Sequence, residues 1–396
     1  MAEKPISTPL PADLPTNWQT GQTVSPTGTE VGLTQRHGYN YQAQQINNAQ
    51  TAINTINDAF ENVYGDGDTV PVADGGTGAK TPQEALVNLG AASNPNLLDN
   101  WYFVGGGSQQ SGGQFPINQR GQTSYSNSGD SIIMSIDRWK FNPDNDAAVI
   151  TINSDSVRMQ KNGAANWPSI NQSIPISEIT NGETYTISVL SRGTAKWRLS
   201  FFYNNYSSND NSQTWDGSGS QISLHTFTAK IQITTGDIIV VSLIIDGSSA
   251  QGEYLDIIAA KLELGPVQTL AHQDADGNWV LNDPPPNFQQ ELAKCQRYAI
   301  ALKGFAWIGM GVMNSATDGQ FFIPFPVSIR SLPAFSGSLH VYNSTNNISA
   351  TVKGITGFNA NGVNGTFSVA SGTFSEKDFV IVFLDPGESC LFSADL

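Results

Sequence analysis

Between residues 97 and 266 the chain repeats one pattern: short runs alternating apolar and polar residues, parted by turn signals every ten to fifteen residues. The runs include SIIMSIDRWKF (131–141), AAVITIN (147–153), TYTISVLSR (184–192), KWRLSFFY (196–203), HTFTAKIQIT (225–234), DIIVVSLIID (237–246) and EYLDIIAAKLEL (253–264). NG, SRG, TGD and DGSS separate them. A period of two turns one face of each strand inward and leaves the other wet. The segment therefore predicts an antiparallel sandwich or jelly roll of roughly seven to nine strands. IIVVSLII (238–245) is the longest apolar stretch. It is far short of the roughly 18 residues a membrane span needs, and reads as a buried strand.

Composition narrows the class. Only 13% of the 396 residues are charged, about half the usual share of roughly 25%. Gly, Asn, Ser, Thr and Gln take their place, as in β-rich extracellular or particle-surface proteins. The 34 acidic against 19 basic residues give a net charge of −15. Nucleic acid is excluded as a partner, because neutralising phosphates needs clustered Lys and Arg. The start, MAEKPISTPLPADLP, has no apolar core of a secretory signal, which predicts synthesis in a cytosol and exit by lysis or within a particle. Cys295 and Cys390 make no disulfide framework and are expected to be buried thiols.

Outside the alternating segment the character changes. Residues 1–36, rich in Pro, Thr and Gly, predict an extended N-terminal arm. In YNYQAQQINNAQTAINTINDAFENV (39–63) the apolar positions Ile46, Ala49, Ile53, Ile56, Phe60 and Val63 step by 3, 4, 3, 4, 3. That is a heptad seam, and Ile at both core positions favours three strands or more. Residues 37–64 are thus expected to form a trimeric coiled-coil helix. Residues 65–96 form a Gly-rich linker, in which Thr81, Pro82 and Gly90 bound a short helix. Residues 267–292 form a second linker, with a DG hairpin turn followed by three prolines. Residues 293–396 open with a short helix or edge element in ELAKCQRYAIAL. They continue as a smaller β-sandwich, its last strand built into the sheet. The expected fold class is mainly β: an elongated homotrimer with arm, short coiled-coil helix, jelly-roll-like sandwich and C-terminal β tip.

Chemistry is hard to find. ADGGTGAKT (73–81) imitates a phosphate loop, but Ala79 stands where Gly must precede the lysine and no strand leads in. DADGN (274–278) faintly resembles a calcium loop, yet Gly277 falls at the fourth position instead of the sixth. His37, His225, His272 and His340 have no metal partner at ligand spacing. No G-x-S-x-G elbow occurs. No catalytic residue, cofactor or metal is expected. Aromatics among amides are the better signal, since flat rings with polar handles suit sugar faces. The candidate glycan contacts are Tyr203, Tyr206 and Trp215 in YNNYSSNDNSQTWD, and Trp307, Tyr342, Asn343 and Asn346, with Asn347 beside them, in the last module.

The arrangement resembles bacteriophage tail fibres. GGTGAKTPQEALVNLG (75–90) is similar to their GGTGA-x-x…A-x-x-x-LG phrase, and residues 10–57 resemble their head-proximal ends. NLLDNWYF (96–103), IDRWKF (136–141) and AKLELGPVQT (260–269) look like phrases of the β-sandwich module of fibre and receptor-binding proteins. CQRYAIAL (295–302) and FIPFPVSIRSLPAF (322–335) resemble the closing module. The resemblance implies a homotrimer that attaches to a tail or baseplate protein through its N-terminus. Its C-terminal domains would bind a bacterial surface glycan, on the virion and without membrane insertion. No binding residue carries over by motif, and the HxH pattern of some fibre tips is absent. A polysaccharide depolymerase and a purely structural fibre connector are the alternatives.

Overall fold

The structure, a computed structural model, describes residues 48–56, 58, 85, 94–107, 114–126, 132–145, 148–163, 166–202, 212–233, 239–274, 276–304, 306–370 and 374–394. The chain divides into two compact units, residues 1–92 and 93–396. In the first, residues 48–56 are helical. Of the predicted seam, Ala49 and Ile56 are exposed and Ile53 is half-buried in the single chain, while Ile46, Phe60 and Val63 lie outside the described residues. The N-terminal arm and the GGTGA phrase also lie outside them. No helix among the described residues is long and apolar enough to cross a membrane.

The second unit is mainly β. Its first part carries β1 (Ser124–Tyr125), β2 (Ile133–Met134), β3 (Lys140–Asn142), β4 (Ala148–Ile152), β5 (Val157–Lys161), β6 (Ser169–Ile174), β7 (Thr184–Gly193), β8 (Trp197–Phe202), β9 (Ser212–Trp215), β10 (Gly219–Lys230), β11 (Ile239–Ile245) and β12 (Tyr254–Leu264). These make two six-stranded sheets, in the orders β1-β4-β5-β12-β7-β10 and β2-β3-β6-β11-β8-β9. Every pairing within them is antiparallel. The sandwich thus has twelve strands, more than the seven to nine expected. β5 and β6 were not anticipated, because VRMQK and SINQSI carry too few apolar residues to signal a strand. The core between the sheets includes Phe103, Trp139, Phe141, Trp197, Leu199, Phe201 and Leu243, each at 1% exposure or less. Burying each such side chain contributes about 1.5–3 kcal/mol.

Segments 96–103, 136–141 and 260–269 help knit this core together. Asn96 bridges β12 by donating to the Ala260 carbonyl and accepting from Leu262 N–H. Asn100 donates to the carbonyls of Ile117 and Asp137 and accepts from Ile117 N–H. Buried Lys261 pairs with Asp283 at 2.9 Å, and buried Glu263 accepts from Thr269 N–H at 2.6 Å. Burial raises the Glu263 carboxyl above its ordinary range.

Residues 267–292, expected as a linker, hold a hairpin of β13 (Ala271–Gln273) and β14 (Trp279–Leu281). Leu270 and Ala271 belong to the sandwich core, and Trp279 and Leu281 pack on it. The segment is therefore part of the sandwich up to its prolines. Asn287 then caps α1 (Phe288–Gln296), accepting from Gln290 N–H.

The remaining strands are β15 (Ala299–Lys303), β16 (Ala306–Met313), β17 (Asp318–Pro324), β18 (Ala334–Gly337), β19 (Leu339–Tyr342), β20 (Asn347–Asn359), β21 (Gly362–Val369), β22 (Phe379–Leu384) and β23 (Ser389–Ser393). Where a second sandwich was expected, they form a closed barrel, β16-β17-β21-β20-β19-β22, beside a three-stranded sheet, β15-β23-β18. Closure removes the barrel's sheet edges. Its small bore is filled by complementary pairs. On facing positions Gly319 opposes Phe367, and Phe321 opposes Gly365. A Cβ at either glycine would run into the opposing ring.

Candidate functional site: a groove on the outer face of the second sheet

Alternate residues of the second sheet point away from the core, and register aligns them in two cross-strand rows. One row reads Asn142, Ser169, Ile244, Arg198, Thr214. The other reads Lys140, Asn171, Ser242, Ser200, Ser212. A cavity of about 330 Å³ lies over them, lined by Ile132, Asn142, Trp167, Asn171, Arg198 and Ser242 among others. Val240 and Ile244 form a small apolar cluster of their own on this face.

The polar groups of the groove are held unequally. Asn171 donates to Ser169 Oγ at 3.0 Å. Arg198 lies over the Trp167 ring, its guanidinium carbon 4.4 Å from the centroid. That stacking suits a planar, weakly hydrated cation. Trp167 keeps 40% of its surface exposed and Ile132 51%, so an apolar rim borders the polar floor. Apolar walls with a few placed polar groups are the usual make-up of a small-molecule cleft. Ser242 is 1% exposed, and neither its hydroxyl nor Arg198 Nε has a hydrogen-bond partner.

A second cavity, about 430 Å³, lies between the sandwich edge and the three-stranded sheet, lined by Arg120, Tyr125, Lys303, Ser336, Ser389 and Cys390 among others. Much of its polar lining serves the junction itself. Gln119 donates to the Ala299 carbonyl and accepts from Ala301 N–H, and Arg120 pairs with Asp137. Arg138 stacks on Tyr298 at 3.4 Å, and Glu291 accepts from Asn100 N–H.

The aromatics picked from sequence fall in different settings. Trp215 is half-buried and packs on Trp197 and His225, with centroids 5.1 Å away in both cases. Tyr203 and Tyr206 lie outside the described residues. Trp307 and Tyr342 share the barrel's outer face, on the two strands flanking β22. Trp307 is 71% exposed. The Asn343 side chain accepts from Thr345 N–H, Thr345 Oγ1 and Asn346 N–H, which fixes the β19–β20 turn. Asn346 closes that turn by accepting from Asn343 N–H.

Trp167, Arg198, Asn142, Asn171 and Ser242 were missed from sequence. Their signal is polar residues at outward strand positions, visible only once β6 is recognised as a strand.

Two further clusters bear on chemistry. His340, Asp385 and Glu388 gather ligand atoms within 4.8 Å of one another, which sequence spacing did not foresee. Both imidazole nitrogens already face carboxylates, Nδ1 toward Asp385 at 3.5 Å and Nε2 toward Glu388 at 3.2 Å. Cys295 and Cys390 are free and buried, as expected. Burial pushes the Cys295 thiol well up and that of Cys390 to about 12, so neither supplies a thiolate nucleophile at neutral pH.

No family model and no curated protein matches the chain. Among solved structures, a cyclase from Fischerella sp. TAU aligns at 10% identity over 45% of this chain and 100% of its own, with a TM-score of 0.29. A CBM4 structure aligns at 14% identity over 35% of this chain and 97% of its own, with a TM-score of 0.27. The enzymatically active domain of tailspike protein 4 from bacteriophage CBA120 aligns at 12% identity over 32% of this chain and 19% of its own, with a TM-score of 0.25. Likenesses this loose assign no ligand to the groove.

Proposed function

We propose that this protein is a glycan-binding adhesin, the receptor-binding part of a phage or phage-derived tail fibre, and that it holds its glycan in the groove of the second sheet. The observation that carries this reading is the groove itself: two polar rows on a sheet face, bordered by Trp167 and Ile132 and floored by buried Ser169, Asn171 and Ser242 and half-buried Arg198. Saccharides present apolar ring faces and hydroxyl edges together, and such a lining meets both. The protein binds without chemistry, so host glycan incubated with it gains no new reducing ends.

In this reading the seam of residues 39–63 joins three copies. The exposure of Ala49 and Ile56 in the single chain supports that pairing. Three copies raise avidity for a weak sugar site through effective concentration. Residues 1–36 attach to the tail or baseplate.

The test is binding of the full chain to host cells, with its assembly state fixed by sedimentation. Wild type binds, and Trp167→Ala lowers cell binding by roughly tenfold or more, the loss of about 1.4 kcal/mol per site. A trimeric sample that binds no cells overturns the proposal. Unchanged binding by Trp167→Ala removes the groove from it.

A further inference from the structure

Arginines elsewhere in the sandwich meet carboxylates. Arg120 pairs with Asp137, Arg138 with Asp99, Arg158 with Asp256, and Arg192 with both Asp155 and Asp256. Arg198 has no carboxylate within ion-pair distance among the described residues. Asp246 is near enough to feel its charge, but that carboxylate accepts from Ser248 N–H and Ser248 Oγ instead. Arg198 is fixed by the Trp167 ring, and its Nε–H is buried without an acceptor. Ser242 lies on the same face of the neighbouring strand, two pairs along the register, with its hydroxyl buried and unpartnered. An unsatisfied buried donor is destabilising. Two of them line one cavity, in a chain whose net charge is −15.

We infer that this groove selects acidic saccharides: the carboxylate of a uronate or other carboxylated sugar accepts from Arg198 Nε–H and Ser242 Oγ–H. A carboxylate is acceptor-only and matches two donors at once. Asn142 and Asn171 are placed to meet the ring's hydroxyls, and Ile132 and Ile244 its apolar face. This deepens the glycan-binding reading and rests on it.

The experiment is an array of bacterial-surface oligosaccharides in which each carboxylated member is printed beside its carboxyl-reduced, neutral form, probed with the full chain. Wild type binds carboxylated members and loses roughly tenfold or more in affinity on their reduction, the scale expected for one charge-assisted hydrogen bond. Acetate at equal carboxylate concentration does not compete, which separates an acidic sugar from a bare anion. Arg198→Lys keeps the charge but not the planar donor edge, and loses affinity for carboxylated members only. Ser242→Ala loses affinity as well, while its melting temperature rises because an unpaired hydroxyl is gone. Equal binding to each acid and its reduced partner overturns this inference and leaves the glycan reading standing. So does a Ser242→Ala protein that binds as wild type. Binding to no member overturns both.

Discussion

In the sandwich, Lys161, Asp256, Lys261 and Glu263 are buried at 1% exposure or less; from Ala299 to Ala394, no polar or charged side chain is buried among the described residues. The barrel does the reverse on its outside, exposing Trp307, Met310 and Phe379 at 71%, 68% and 84%. The contrast follows from how each module ends its sheets. An open sandwich has two outer faces, and small polar residues on one of them leave room for a groove. A closed barrel has one narrow interior, filled here by apolar side chains such as Phe321, Ile323, Leu339, Val363 and Phe367, so its polar and surplus apolar groups go outward. Buried polarity in the sandwich is mostly paired, as at Asp256, while the buried hydroxyls of Ser191 and Ser242 have no hydrogen-bond partner.

The sharpest way to break this comparison is at Asp256. Its carboxylate is fully buried between Arg158, at 2.7 and 2.9 Å, and Arg192, at 3.1 Å, on three adjacent strands. Asp256→Ala leaves two guanidinium groups side by side with no anion between them. The expected cost is about 3 kcal/mol, toward the low end for a broken buried pair because both arginines keep some contact with water. Chemical denaturation measures it. A loss below about 1 kcal/mol would mean the sandwich does not depend on its buried charges.

A smaller effect is expected with pH. Burial against Trp197 and Trp215 lowers the pKa of His225 from 6.5 to about 4. The folded state then binds fewer protons than the unfolded state between those values. The stability tied to a neutral His225 is complete above pH 6.5 and declines as pH falls toward 4. The decline is about 2 kcal/mol once discounted for the ring's partial exposure. Melting curves across that window should flatten in His225→Gln. The same slope in wild type and variant would assign the acid sensitivity to other groups.

Legibility from sequence tracked how much of each strand's pattern was apolar. β4 and β7 were read from alternation, and β11 and β12 from runs rich in apolar residues. β6 was not, because SINQSI places Gln172 inward, where its side chain accepts from Asp99 N–H and donates to the Asp99 carbonyl. A strand stabilised by such bonds carries no hydrophobic period, and the groove built on it was invisible for the same reason. Aromatic search favoured Trp215 for its polar loop, yet register places its strand beside Trp197. Trp167 stands in none of the strand runs or aromatic loops picked from sequence. The hairpin in residues 271–281 shows the converse failure. Its turn was legible from DG, but its packing on the core was not, since three prolines follow it.

The barrel's outer face gives the finest test of the comparison. Phe379 lies opposite Val312, Met310 opposite both Ile381 and Phe322, and Tyr342 opposite Ile381. All are on the face opposite the core positions Val380, Val382, Phe321 and Ile323. A ring left 84% exposed has almost no transfer energy to lose. Phe379→Ser should therefore change unfolding free energy by less than about 0.5 kcal/mol, the range of ordinary surface substitutions. Measured by denaturation at several protein concentrations, the change stays small at low concentration if the barrel alone is responsible. A loss of 2 kcal/mol or more there would place Phe379 in a core, and the division between a polar-buried sandwich and an apolar-faced barrel would fail at its outermost residue.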